Sequence, residues 1–301
     1  VIELSDAQVL YSFSADMVSA LVVASGETVC IRTQDCFGNQ LQESDDSIDK
    51  LDWSRVNPAT GPLFIEGAQP GDVLKVSIER IEIDDRATMC TGEAEGVLGD
   101  LFHDGLASIA KPIVNGNLIW GNGIDIPCNP MIGVIGVAPA GNISITCGTP
   151  GSHGGNMDTT KIAQGSTLYL PVAQPGALFG CGDLHACMGD GEIGVSGAEV
   201  SGYVTARLDV LKDRTLANPA LIDAESFFTI ASASTLDEAC DRAVHDMMGI
   251  LEERLSGITR EDLVMLMSLC GNVHVCQIVD PQKTARFAMP LHILSAYGFT
   301  W

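Results

Sequence analysis

The hydrophobic period of this chain changes once, near residue 235, and that change constrains the fold more than any other sequence feature. Before about residue 225, glycine and proline punctuate short runs in which apolar side chains recur at every second position. In one such run Val200, Val204, Ala206, Leu208 and Val210 face one way. Tyr203, Thr205, Arg207 and Asp209 face the other, as a pleated strand requires. The run Val73–Ile83 also alternates, but its phase slips: Leu74, Val76 and Ile78 are even, Ile81 and Ile83 odd. A slip of one residue predicts a bulge or a sheet switch. After Thr235 the apolar positions follow helical spacing through Leu236, Ala239, Ala243, Met247, Leu251 and Leu255. Thr235 and Glu238 have the spacing of a capping box, and Gly257 is placed to end the helix. A second helix is expected from Thr259 to near Gly271, then a strand over 272–279 and a final strand-like return.

The reading is a mainly β fold, sandwich- or barrel-like, over 1–225, followed by an α/β section over 226–301 with two helices. No composition break calls for a linker, so 1–301 reads as one unit. The tetrapeptide Ala-Gln-Pro-Gly occurs at 68–71 and again at 173–176, each time between β-like runs. Pro-Gly suits the centre of a type II turn, so the echo marks either a duplicated unit or convergent turn chemistry.

Charge narrows the partners. Lys and Arg number 16 against 39 Asp and Glu, a formal net charge of −23. Nucleic acid is excluded, because phosphate binding needs a basic face. An anionic membrane surface is disfavoured for the same reason, and no apolar run reaches the ~20 residues of a membrane-spanning helix. The excess acid serves solubility or cation binding. Its densest run, 43–52, lacks the ligand order of an EF-hand and reads as a solvated loop. The ten cysteines include no C-x-x-C pair, so zinc-finger spacing is absent. With no basic leader at the start, they read as reduced thiols packed as small hydrophobes in a cytoplasmic protein.

The densest polar cluster spans 180–192 and contains Asp183, His185, Asp190 and Glu192 among several glycines. In an extended segment Asp183 and His185 share a face, and a carboxylate beside an imidazole suits a divalent cation. Gly189 to Gly194 formally matches a dinucleotide fingerprint, but a β-like run follows it rather than a helix, and its acids would repel phosphate. A G-x-S-x-G elbow and an H-E-x-x-H pair are both absent. A nitrilase-like site would need a lysine near its cysteine, and none lies near Cys181 or Cys187 in sequence.

These residues also carry a resemblance. The segments at 33–37, 57–62, 65–72, 154–158, 168–172 and 182–192 are similar, in order, to the acetamidase/formamidase family, as is the run from Asp246 to Asp262. Cys187 and Met188 depart from it, since a small residue and a glutamine are expected there. The resemblance implies hydrolysis of short aliphatic amides such as formamide or acetamide, a β-sandwich-like fold with an α/β part, and homo-oligomers.

Amide hydrolysis needs a nucleophile, a means of holding the developing oxyanion, and an acid for the leaving amine. A divalent cation, zinc before calcium, supplies the first two. The expected ligands are Asp35, Asp183 and His185, with Glu192 or else Asp190 moving protons. Asn57 and Asn156 are expected to orient the amide, although Asn57 also fits a turn before Pro58. Asp158 reads as a further ligand or a turn acceptor, and Glu66 and Glu199 as lesser candidates. His103, His153, His274 and His292 read as structural. Two other classes stay open: a non-catalytic metal-stabilised β scaffold or binding protein, and a thiol-dependent amidase using Cys181 or Cys187. The aromatic C-terminus (Tyr297, Phe299 and Trp301) reads as either a self-association contact or a tail docked on its own core.

Overall fold

The computed structural model describes residues 1–42 and 47–301; residues 43–46, part of the expected solvated acidic loop, lie outside the described residues. Two large sheets carry the fold, one of nine strands and one of eleven. The first includes Glu27–Thr33, Gly202–Leu211, Val73–Ile83 and Thr167–Pro171 as successive neighbours. Its inward side chains, among them Ile31, Val76, Val204 and Leu168, pack against Ile132, Phe179 and Leu184 of the second sheet. One shared core between two sheets is a sandwich.

The alternation read from 200–210 is realised: Val204, Ala206 and Leu208 are fully buried, while Tyr203 and Arg207 are exposed. The phase slip in Val73–Ile83 is a bulge. Thr205 pairs with Arg80 and Ala206 with Ile78, so Glu79 is the extra residue between buried Ile78 and Ile81. The added residue keeps both isoleucines on the core side, which unbroken alternation would not allow.

The two Ala-Gln-Pro-Gly turns lie side by side. Gly71 N–H donates to Val172 O at 2.9 Å and Val172 N–H to Asp72 O at 2.9 Å. Gly176 N–H donates to Ala68 O at 2.9 Å and Ile65 N–H to Gly176 O at 2.9 Å. The strands flanking one turn pair with those flanking the other: Ala59–Ile65 with Phe179–His185, and Val73–Ile83 with Thr167–Pro171, both antiparallel. A two-fold relation between duplicated strand–turn–strand units produces this exchange of partners.

The C-terminal section carries the two expected helices, α1 (Leu236–Arg254) and α2 (Arg260–Cys270). Thr235 Oγ1 accepts from Glu238 N–H at 3.3 Å and Thr259 Oγ1 from Asp262 N–H at 3.1 Å, satisfying donors otherwise orphaned at a helix start. The reciprocal half of the box is not made, because the Glu238 carboxylate turns to Arg242 and Ser234. Ala243, Met247 and Leu251 of α1 cover Phe227, Phe287 and Met289 on the outer side of the nine-stranded sheet. A third helix, α3 (Leu291–Ser295), is too short at five residues to be legible in the sequence. The aromatic tail docks at home: Trp301 sits 4.9 Å from Phe227 and 5.7 Å from Tyr169, ring to ring. It therefore gives no support to self-association. All ten cysteines are free, and among the described residues no helix is long and apolar enough to cross a membrane.

Candidate metal centre and active site

Phe179–His185 lies within the eleven-stranded sheet, hydrogen-bonded to Met131–Gly136, Ala59–Ile65 and Glu199–Val200. Phe179 and Cys181 point into the main core, and so do Leu184 and Ala186. The inward phase therefore switches from odd to even between Cys181 and Leu184. Asp183, at φ 55°, is the residue that makes the switch. The switch turns Asp183 and His185 away from the core together and leaves Cys181 behind in it. The shared face expected of Asp183 and His185 is present, by way of a left-handed residue rather than plain alternation.

Four carboxylates gather around the His185 ring. Its Nε2 lies 3.2 Å from Glu199 Oε2, 3.6 Å from Asp183 Oδ1, 3.8 Å from Asp158 Oδ1 and 4.0 Å from Glu192 Oε1. Glu199 stands directly across from His185 in the strand register, and its Oε1 accepts from Gly197 N–H at 2.7 Å. Two glycines make the room. A Cβ on Gly197 would meet His185 Nδ1 at 2.6 Å, and one on Gly133 would meet Asp158 Oδ1 at 2.5 Å and Asp183 Oδ2 at 2.6 Å. Asp158, Asp183, Glu192 and the neighbouring Asn57 all hold positive φ, between 42° and 55°. Left-handed non-glycine residues are uncommon, and their concentration here marks a site whose backbone is held by its surroundings.

The cluster is buried and under-partnered. Asp158, Asp183, His185, Glu192 and Glu199 are each at most 6% exposed. Both Asp158 oxygens, Asp183 Oδ1, Glu192 Oε2, Glu199 Oε2 and Asn156 Oδ1 lack hydrogen-bond partners. Burial raises Asp158 to about 7 and Glu199 to about 8, and it lifts Glu192 well above the usual carboxylate range. Burial also works to lower His185, but the Glu199 and Asp183 carboxylates outweigh it and hold the imidazole well above its usual value. Orphaned buried oxygens around one imidazole fit a cation, which would satisfy them and let the carboxylates ionise. Two groups have donor atoms within 4.8 Å of one another: Asp158, His185 and Glu192; and Cys36, Asp183 and Glu199. Both fit a divalent cation.

A cavity of about 160 Å³ opens on the cluster, lined by Cys36, Asn57, Asn156, Asp183, Glu192, Glu199 and Asp280 among others. Asn156 Nδ2 donates to Asp280 Oδ2 at 3.0 Å, leaving the Asn156 oxygen free.

Two expected residues are employed elsewhere. Asp35 belongs to neither donor group; its carboxylate accepts from Asn39 N–H at 2.8 Å and Gln42 Nε2 at 2.7 Å. Asp190 is held in a bidentate pair with Arg286, at 3.1 and 2.6 Å, and also accepts from Thr160. Its carboxylate is thus engaged with Arg286 and Thr160, whereas Glu192 keeps an unpartnered oxygen. The cysteine alternatives also lose ground. Cys181 is fully buried in the core, and burial pushes it up to about 12. Cys187 is absent from the lining of that cavity and lines a neighbouring one of about 540 Å³ with Trp120, Asp190 and Glu192.

Sequence reasoning ranks Glu199 low and does not single out Asp280, Arg286 or Cys36 for the site. Glu199 is findable once the register opposite His185 is known. Asp280, 124 residues from its partner Asn156, carries no local signal.

Comparisons with known proteins identify the family. The profile of the Acetamidase/Formamidase family matches residues 5–147 and 146–296. A predicted acetamidase/formamidase from Thermoanaerobacter tengcongensis superposes with TM-score 0.97 at 49% identity, covering 100% of this chain and 99% of that one. An acetamidase from Bacillus halodurans gives TM-score 0.95 at 42% identity, covering 99% and 100%. A putative formamidase of Schizosaccharomyces pombe is 28% identical over 258 residues, 66% of this chain. The chain spans 63% of the length of that curated relative. With the family profile matching nearly its whole length and solved members superposing over all of it, the chain belongs to the acetamidase/formamidase family.

Proposed function

We propose that this protein is a metal-dependent hydrolase of short aliphatic amides, formamide or acetamide, releasing ammonia and a carboxylate. The observation that carries the reading is the ring of four buried carboxylates within 4.0 Å of His185 Nε2, opening on a cavity of about 160 Å³. That volume suits a small substrate.

Asp183 and His185, joined by Asp158 and Glu199, would hold the cation. The imidazole donor favours zinc over calcium, which takes oxygen ligands. When bound, a divalent cation polarises the amide carbonyl and acidifies water. Glu192 has an unpartnered oxygen beside the cavity. It takes the proton from the attacking water and returns it to the departing nitrogen, so that ammonia leaves neutral. Asn156 offers its free carbonyl oxygen to the amide NH₂, and Asn57 also lines the cavity. Asp190 steadies the loop that carries Glu192.

A non-catalytic scaffold would saturate Glu192 with protein donors; its free Oε2 favours turnover. Self-association has support in the exposed apolar residues Ile109, Val114, Trp120 and Ile124 on neighbouring strands. Ten free cysteines suit a reducing, cytoplasmic setting.

The test is ammonia release from formamide and acetamide before and after chelator treatment. Release that chelator abolishes and metal restores is expected. Absence of release from either amide by the metal-loaded protein would overturn the reading.

A further inference from the structure

We propose that Cys36, Asp183 and Glu199 form a second cation position next to the one beside His185 and Asp158, making the centre dinuclear. The inference rests on the metal-dependent reading above and extends it.

Three observations support it. First, the donor atoms fall into two separate groups with no shared residue, each within 4.8 Å internally. The groups touch, since His185 Nε2 of one lies 3.2 Å from Glu199 Oε2 and 3.6 Å from Asp183 Oδ1 of the other. Asp183 and Glu199 are therefore placed to face either position. Second, Asp183 Oδ1 and Glu199 Oε2 are unpartnered atoms on side chains that are 2% exposed. Third, the charge does not close with one ion. Four ionised carboxylates around a single divalent cation leave a net double negative charge in a buried site. Asp35 and Asp280 stand next to that site, adding acid rather than base. A second divalent cation, taken up with the Cys36 thiolate, brings the charge of that four-carboxylate set from double to single negative. Uncompensated buried charge is costly, so the fuller neutralisation is favoured.

Cys36 also fits in kind. It is 8% exposed, lines the cavity and follows Asp35 directly in the loop after Glu27–Thr33. A thiolate is a soft ligand that suits zinc or cobalt and not calcium. On binding, the Sγ–metal bond forms as the thiol proton passes to solvent.

The experiment titrates chelator-stripped protein with Co²⁺, reading bound cobalt per chain and the near-ultraviolet absorption that marks a thiolate–cobalt bond. Two ions per chain are expected, one of them bringing the band. Cys36→Ser should lose the band and one ion, and His185→Ala should keep the band while losing the other ion. The wild-type stoichiometry tests the proposal even if neither variant folds. One ion per chain, or two without the band, overturns the second position while leaving the mononuclear reading intact. No bound ion overturns both.

Discussion

Arg286 and Asp190 meet in a bidentate ion pair, at 3.1 and 2.6 Å, that ties the C-terminal section to the loop carrying Glu192. The guanidinium is 3% exposed and also donates to Thr159 Oγ1, next to Asp158, at 3.3 Å. One cation from the strand Lys283–Pro290 thus braces the segments that present both Asp158 and Glu192. Backbone bonds reinforce it, with Gly191 N–H donating to Cys276 O and Ile278 N–H to Gly191 O. The α/β section serves the site from behind as well as covering the sheet.

Removing that brace should therefore cost turnover. Arg286→Met is expected to lower kcat by more than it raises KM. It should destabilise the fold by about 2 kcal/mol, less than the ~3–5 kcal/mol of a fully buried pair, because Asp190 is 38% exposed. Arg286→Lys should restore part of the rate. Steady-state kinetics with urea unfolding checks this, and unchanged kcat in Arg286→Met would refute the bracing role.

Gly133 gives a sharper structural test. Its backbone is not left-handed, so alanine is tolerable there for the chain, but the new Cβ would press on Asp158 Oδ1 and Asp183 Oδ2. Overpacking of this kind costs about 1–3 kcal/mol. Gly133→Ala should keep its circular dichroism and lose most of its bound metal. A variant with wild-type metal content would mean that the two carboxylates can move apart without loss.

Where sequence and structure agree, the information is local. Alternation at 200–210, the slip before Ile81 and the Thr235 and Thr259 caps all lie within a few residues of what they specify. The site is legible in proportion to the same locality. Asp183, His185 and Glu192 come from one ten-residue stretch, whereas Glu199 depends on strand register and Asp280 on a contact 124 residues distant. Asp35 and Asp190 are plausible by composition, but the structure engages them with Gln42 and Arg286, and pairing across the fold has no signature in a single sequence.

Glu192 separates proton transfer from metal binding. Glu192→Gln keeps the side chain's size, and Asp158, Asp183, His185 and Glu199 remain as donors. Bound metal should persist while turnover falls by ~10²–10⁴-fold, the usual contribution of a positioned acid–base group. Metal analysis and ammonia release on the same preparation decide it. If the metal leaves with the carboxylate, Glu192 is a ligand and not the proton carrier.

His153 supplies a pH dependence of stability separate from the carboxylate cluster. It is 3% exposed, packs edge-on against Phe13 with ring centroids 5.5 Å apart, and has no partner for Nε2. Burial lowers it from 6.5 to about 4. Between those values the unfolded chain binds a proton that the folded chain refuses, so this contribution to stability is complete above pH 6.5 and is lost as the pH falls towards 4. The free energy of holding the buried imidazole neutral over that range is about 3 kcal/mol. Urea unfolding at pH 7 and near pH 4 should reveal its loss, and His153→Leu should remove that part of the acid sensitivity while leaving the share owed to the carboxylates. Equal acid sensitivity in the two proteins would show that His153 is protonated in the folded state at no cost.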